Sequence, residues 1–394
     1  MATTETPALH SDGRPPEYFS LPQEYYTSDK WFERDLDVIF RRRWLFAGHA
    51  STIPNPGDYF LFDLRDDSYV VIRQADGTIR ALANVCRHRG SRICAEQTGQ
   101  GKKRLTCPYH SWSYSLDGSL QTAPRMQAEF DKSQYPLKPA WVDEWYGMVF
   151  VCLGEERPVP LAERFRDDDL SPWKLEATKV AADETFDVAA DWKLVSENFI
   201  ECYHCSVAHP ELCKVFDPGF SVVGERRLSN SNEVPSTVRE TADDYFSFSA
   251  DGTLRPGAQS FTIDGSYAVS KLLGDPDQPP PERDAGLFSF PNFNTVAVPD
   301  YFLTFSWLPT GPRSTRFRAT WVVHQDAGEG RDYDVEGLKA LFKVTAQEDV
   351  GLSALGQQGV NAGAYEPGPY NERLEAAVIS WMRVYHSLHE NSVA

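Results

Sequence analysis

Two short clamps of metal-binding residues restrict what this chain can fold into. Cys86-Arg87-His88 is answered, eighteen residues further on, by Cys107-Pro108-Tyr109-His110. Four such ligands act together only if two neighbouring loops meet, each offering one sulfur and one imidazole. Mixed ligation of this kind suits a two-iron, two-sulfur cluster with thiolates on one iron and imidazoles on the other. Structural zinc is the main rival, since two Cys and two His also suit a tetrahedral ion. Zinc motifs, however, usually group Cys with Cys and His with His, whereas each clamp here carries one of each.

The residues around the clamps read as an all-β domain. Apolar runs at Asp58–Leu64, Ser68–Arg73 and Ile79–Ala83 predict strands, with Asp76-Gly77 as a hairpin turn between the last two. Asp117-Gly118 repeats the device, and Tyr146–Leu153 is expected to close the region as a buried strand. Upstream, Phe32, Leu36, Ile39, Phe40 and Trp44 follow a helical spacing from Asp29 onward. Residues 1 to about 17 are polar and expected to be loose. A Pro- and acid-rich stretch, Glu155–Asp169, marks a boundary. The division expected is an N-terminal helical segment at 1–45, the β domain at 46–155 and a second domain at 156–394.

A second ligand cluster lies in that last part, in Asn198-Phe-Ile-Glu201-Cys-Tyr-His204-Cys-Ser-Val-Ala-His209-Pro210. Asp191–Cys205 reads as a helix, with Glu201 and His204 three apart on one face. Pro210 biases His209 out of the helical region, so the helix is expected to end between the two histidines. Two His and a distant carboxylate, with positions left open, are a preferred ligand set of an oxygen-activating Fe(II). The third ligand is sought in the helix Val335–Leu355, where Leu338, Phe342, Thr345, Asp349 and Leu352 form a stripe. Asp349 falls on the face to be buried, where a carboxylate needs a cation, a metal or an arginine. Zinc held by Cys202, Cys205, His209 and Cys213 is an alternative; Cys202-x-x-Cys205 has only the superficial form of a redox pair, since it lies inside the helix that carries the iron ligands. A final helix is expected over Tyr370–Leu388, and strands at Leu287–Phe290, Asp300–Leu308 and Arg316–His324. Ser229–Ser260 and Asp275–Asp284 read as long loops.

The net charge of −18 argues against a nucleic-acid partner and favours a cationic small molecule. No apolar run is long enough to span a bilayer, and Met1–Arg14 lacks the core of a signal peptide. Seven cysteines, two of them in a cluster motif, fit a reducing compartment, so a cytoplasmic location with no membrane partner is expected.

Together, Cys86-x-His88…Cys107-x2-His110 and Asn198…Glu201…His204…His209…Asp349 resemble the α subunits of Rieske non-heme iron oxygenases along nearly the whole chain. The resemblance implies an α+β fold: a Rieske all-β [2Fe–2S] domain plus a helix-wrapped antiparallel-sheet catalytic domain. It implies a Rieske cluster on Cys86, His88, Cys107 and His110, and a mononuclear Fe(II) on His204, His209 and Asp349. Glu201 and Asn198 become the catalytic carboxylate bridge and its neighbour. A separate NAD(P)H-dependent flavin- or ferredoxin-type reductase would load the cluster, and electrons would pass through Glu201 between subunits of a homotrimer or a multiple of it. Relatives that attack aromatic rings commonly carry Asp where this chain has Glu201. Glu there, with Trp321–Asp334 and Tyr365-Glu-Pro-Gly-Pro-Tyr370, is similar to the branch acting on quaternary ammonium compounds such as glycine betaine. The activity implied is O2-dependent N-demethylation with release of formaldehyde. An aromatic-ring-hydroxylating dioxygenase of an aromatic acid and a non-catalytic Rieske electron carrier are the competing functions.

A permanent cation is best held by aromatic faces. Tyr301, Phe305 and Trp307 share one face of a strand and are candidates for such a cage, or for plain core. Arg87, Arg89, Arg92, Lys102, Lys103 and Arg104 crowd the cluster loops of an acidic chain. They form either a solvated surface or a basic rim that guides an acidic reductase domain.

Overall fold

The computed structural model describes residues 13–166, 168–217, 236–241, 245–251, 253–281 and 284–391. The chain divides into two compact units. One comprises residues 40–169 and 176–180; the other takes the described residues up to 39, 170–175 and those from 181 onward.

The first unit is all-β. Seven strands form a sheet in the order Leu45–His49, Met148–Cys152, Pro139–Trp145, Ile79–Ala83, Asp67–Arg73, Tyr59–Leu64 and Thr98–Gly99. Each pairing is antiparallel. A second sheet joins Leu105–Thr106, Ser113–Tyr114 and Leu120–Thr122. The hairpin at Trp145–Met148 turns on Tyr146 and Gly147, both at positive φ (50° and 77°), which matches the twist of the strands it joins. That is why the closing strand begins at Met148 rather than at Tyr146, where the apolar run starts. Val70, Ile72, Leu82, Trp112 and Tyr114 pack in the core, and Cys86 and Cys107 are part of that same core.

The second unit holds a seven-stranded sheet in the order Thr178–Val188, Ser314–His324, Phe302–Gly311, Phe293–Ala297, Ala285–Ser289, Tyr245–Asp251 and Ser236–Thr241. From Ser314–His324 onward the pairings are antiparallel. Two strands occupy part of the polar stretch 229–260 that reads as a loop; residues 229–235 lie outside the described residues. Polar side chains do not prevent strand pairing, because the backbone makes the ladder. Thr178–Val188 and Phe293–Ala297 likewise escape the sequence pattern. Most of the expected loose N-terminus lies outside the described residues. From Tyr18 the chain is tied down, with Tyr370 N–H bonded to the Tyr18 carbonyl and Ser20 N–H to the Gly368 carbonyl, each at 2.9 Å.

The expected helix Asp191–Cys205 is shorter: it runs Trp192–Phe199, capped by the Asp191 side chain on Lys193 N–H. Val335–Val360 starts on an Asp334 cap and extends past the expected end. Its buried stripe passes from Asp349 to Ser353 and Gln357, following the 3.6-residue period, and leaves Leu352 37 % exposed. The last helix, Ala376–Asn391, begins six residues later than Tyr370. Among the described residues no helix is long and apolar enough to cross a membrane.

Candidate metal centres and substrate cavity

The clamps of the β unit are built as a matched pair of loops. Gly90 N–H returns to the Cys86 carbonyl at 3.0 Å, and Ser111 N–H returns to the Cys107 carbonyl at 3.1 Å. Cys86 N–H reaches the Ser91 carbonyl and Cys107 N–H the Trp112 carbonyl, again at equivalent offsets. The fifth residue of each loop lies in the left-handed region, Gly90 at φ 75° and Ser111 at φ 59°. Both sulfurs are buried, whereas His88 and His110 are exposed at the rim. Their rings are 4.7 Å apart, with planes at 78°. His88 stacks on Trp112 at 4.9 Å, and the Tyr114 hydroxyl lies 3.4 Å from Cys86 Sγ and accepts Arg87 N–H at 3.0 Å. Thiolates inside and imidazoles at the edge fit a dinuclear cluster better than a single tetrahedral ion, whose four ligands would share one environment.

In the second unit the helix stops at Phe199 because Glu201 competes for the backbone. Its carboxylate accepts Tyr203 N–H, and His204 N–H at 3.3 Å, so it caps the turn that follows instead of lying on a continuous helix. Glu201 and His204 therefore meet across a turn. The same carboxylate lies 2.6 Å from His204 Nδ1. His209 ends the short helix Cys205–Ala208, and its Nδ1 lies 2.8 Å from Glu348 Oε2.

A carboxylate only accepts, so in each histidine Nδ1 carries a proton, and the ring when neutral presents its Nε2 lone pair. The two Nε2 atoms are 3.1 Å apart, and they lie 3.3 Å (His204) and 3.0 Å (His209) from Asp349 Oδ1. Three acceptors that close have no proton to share among neutral rings, and a cation resolves the conflict. An octahedral face with bonds of about 2.1 Å has edges of about 3.0 Å (2.1 × √2), close to this triangle. Without a metal the neighbouring carboxylates decide the titration. Burial disfavours a charged His204, but Asp349 and Glu201 outweigh it and carry its pKa to about 10. Asp349, against the cost of burial, is held below the ordinary carboxylate range by His204, His209 and Asn198. Asn198 Nδ2 donates to Asp349 Oδ1 at 2.8 Å.

Cys205 Sγ is more distant, 4.0 Å from His204 Nε2, and Cys213 Sγ donates to the Cys205 carbonyl at 3.3 Å. Among the described residues the metal-binding atoms of His204, Cys205 and His209 lie within 4.8 Å of one another, a group that takes in neither Cys202 nor Cys213 of the zinc alternative.

A cavity of about 210 Å³ opens beside this trio. Phe199, Phe305, Phe342, Phe261 and Phe216 form a belt in its wall, successive ring centres being 5.7, 5.6, 5.9 and 6.1 Å apart. Of the three aromatic candidates, Phe305 lines the cavity. Tyr301 and Trp307 do not: they are fully buried, the Tyr301 hydroxyl donating to the Phe261 carbonyl and the Trp307 ring N–H to Ser196. Strand alternation finds the shared face but not where along it the cavity sits. Asp284, 3 % exposed, is also in the wall; it accepts Thr253 N–H, Thr253 Oγ1–H and Leu254 N–H. Sequence reasoning missed Glu348, Asp284 and four of the five phenylalanines. An acidic residue beside Asp349 was the one visible signal.

Residues 43–140 match the Rieske [2Fe-2S] domain, and residues 175–390 match the ring hydroxylating alpha subunit catalytic domain. The chain is 35% identical to the glycine betaine monooxygenase oxygenase subunit of Pseudomonas aeruginosa, over 93% of this chain and 88% of the relative. It is 36% identical to the Chromohalobacter salexigens protein of that name, over 93% and 85%. A quaternary ammonium Rieske monooxygenase solved with L-carnitine superposes with a TM-score of 0.72 over 94% of this chain and 96% of the other, at 23% identity, a likeness of fold. The chain thus belongs to the Rieske non-heme iron oxygenases, as an oxygenase α subunit that works with a [2Fe–2S] cluster, a mononuclear iron and a separate reductase.

Proposed function

We propose that this chain N-demethylates a small quaternary ammonium compound of the glycine betaine type, with O2 and reductase-supplied electrons, releasing formaldehyde. The observation that carries this reading is the composition of the cavity wall. A belt of phenylalanine faces and the buried Asp284 carboxylate, with no lysine or arginine among the described residues of the wall, suit a cation that cannot donate hydrogen bonds. The relatives named above act on the substrate class that this wall suits.

Cys86, Cys107, His88 and His110 would hold the cluster; His204, His209 and Asp349 would hold the iron. When bound, the two centres supply single electrons and the activation of O2. The protein's own part is to hold and orient. Glu201 and Glu348 each fix one histidine as its Nδ1–H tautomer and aim Nε2 inward. Asn198 fixes the Asp349 oxygen that both imidazoles face. The phenylalanine belt orients the cationic head and excludes water. Hydroxylation of an N-methyl carbon then gives an N-hydroxymethyl product, which expels formaldehyde. Glu201 is proposed as the link between subunits of a homotrimer or its multiple, in the cytoplasm. The exposed Arg87, Arg89, Arg92, Lys102, Lys103 and Arg104 are proposed to dock the acidic flavin- or ferredoxin-type domain of an NAD(P)H-dependent reductase.

Iron-loaded protein with a surrogate reductase and NADH should release formaldehyde in proportion to glycine betaine consumed. Turnover of benzoate-like acids to dihydroxylated products, with no formaldehyde from any quaternary amine, would overturn the assignment.

A further inference from the structure

Cys202-x-x-Cys205 is a sequence motif to which the oxygenase chemistry gives no task. The structure places it in the wall of the cavity beside His204, His209 and Asp349. Cys205 N–H donates to the Cys202 carbonyl at 3.2 Å, closing a four-residue turn. Such a turn holds its first and last Cα within about 7 Å, and a disulfide spans roughly 4.4–6.8 Å between Cα atoms. Both residues line the cavity, and Cys205 Sγ is 4.0 Å from the inward-facing nitrogen of His204. Cys202 is partly exposed and Cys205 buried. Cys213 is engaged with the Cys205 carbonyl.

We propose that Cys202 and Cys205 form an oxidisable dithiol in the wall of the oxygen-activating cavity, which hydrogen peroxide converts to a disulfide that arrests turnover. Peroxide arises when two electrons and two protons reach O2 without oxidising substrate. The Cys202 sulfur attacks one peroxide oxygen, the O–O bond breaks, and water leaves as Cys202 becomes a sulfenic acid. The Cys205 sulfur then attacks the Cys202 sulfur; the S–S bond forms, the S–O bond breaks, and hydroxide takes the thiol proton as a second water. Two thiols are oxidised and one peroxide is reduced to two waters. The new ring encloses Tyr203 and His204, the two residues whose N–H groups Glu201 caps. Closing it re-poses both the ligand histidine and its carboxylate partner.

The test treats iron-loaded, reduced full-length protein with a few equivalents of hydrogen peroxide and follows intact mass, peptide linkage and O2 uptake. The expected result is loss of two hydrogens, mapped to a Cys202–Cys205 disulfide, with about a tenfold fall in uptake, both reversed by dithiothreitol. Cys202→Ser and Cys202→Ala protein, each compared with its own untreated sample, should lose activity several-fold more slowly. The proposal falls if the bond links Cys205 to Cys213, or if either cysteine of the pair goes to sulfinic acid or stays reduced. It falls equally if the variants are inactivated as fast as the parent.

Discussion

Glu348 accepts the Nδ1–H of His209 at 2.8 Å, as Glu201 does for His204 at 2.6 Å, so each histidine of the trio is backed by its own carboxylate. Glu348 comes from the helix that also carries Asp349, 139 residues away in sequence from His209. Glu348→Gln, whose amide oxygen still accepts that proton, should retain most of the mononuclear iron. Glu348→Ala should lose affinity for it by roughly 10–100-fold, the usual cost of removing a ligand's partner. Competitive chelation on both variants checks this; equal affinities would show that His209 is oriented by packing alone.

Glu201→Gln keeps the contact geometry but removes the charge. Iron and acid-labile sulfide should stay at wild-type levels while substrate-coupled turnover falls by about 100-fold or more. Asp349→Ala should lose the mononuclear iron and keep the cluster, as read by elemental analysis and by the cluster's absorption. Retained iron would move the third ligand elsewhere.

The phenylalanine belt makes a prediction about specificity. Phe305→Leu preserves apolar volume but removes a π face worth roughly 0.5–2 kcal/mol to a cation. KM for the quaternary ammonium substrate should rise about 2- to 30-fold with little change in kcat. An unchanged KM would mean that the cation sits away from this ring.

Lys193 is fully buried between Asp35, at 2.6 Å, and Asp191, at 2.9 Å. Asp35 also accepts from Trp192, Tyr385 and His389, which ties two helices and the N-terminal segment to one point. Lys193→Met leaves those carboxylates without their cation and should cost about 3–5 kcal/mol, read as a lower denaturation midpoint. A neutral outcome would show that the bonds to Asp35 suffice.

His49 gives the β unit a pH dependence of definite sign. Burial lowers its pKa to about 4, and Ser51 N–H donates to its Nδ1 at 3.2 Å, so the folded ring is neutral. The unfolded chain takes up a proton near 6.5 and the folded one only near 4, so this contribution is complete above 6.5 and is lost as pH falls toward 4. The difference amounts to about 3 kcal/mol. His49→Gln should flatten the stability curve in that window; an unchanged slope would assign the acid sensitivity to other groups.

Much of this architecture is written in short-range chemistry. The Asp76-Gly77 turn, the period placing Asp349 on a buried face and the ligand types at their spacings are all legible, because each depends on residues two to four apart. The sequence did not show that Glu201 would take the N–H groups of Tyr203 and His204 and end the helix at Phe199. Nor did it show that polar residues near 240 would pair as strands, or that Phe305 rather than Trp307 would face the cavity. The first is a local competition between helix and side-chain cap that spacing does not decide; the others are settled by which distant surfaces meet. Local periodicity assigns a side chain to a face; only packing decides what that face touches, and the Glu348–His209 contact exists solely because two remote segments are brought together.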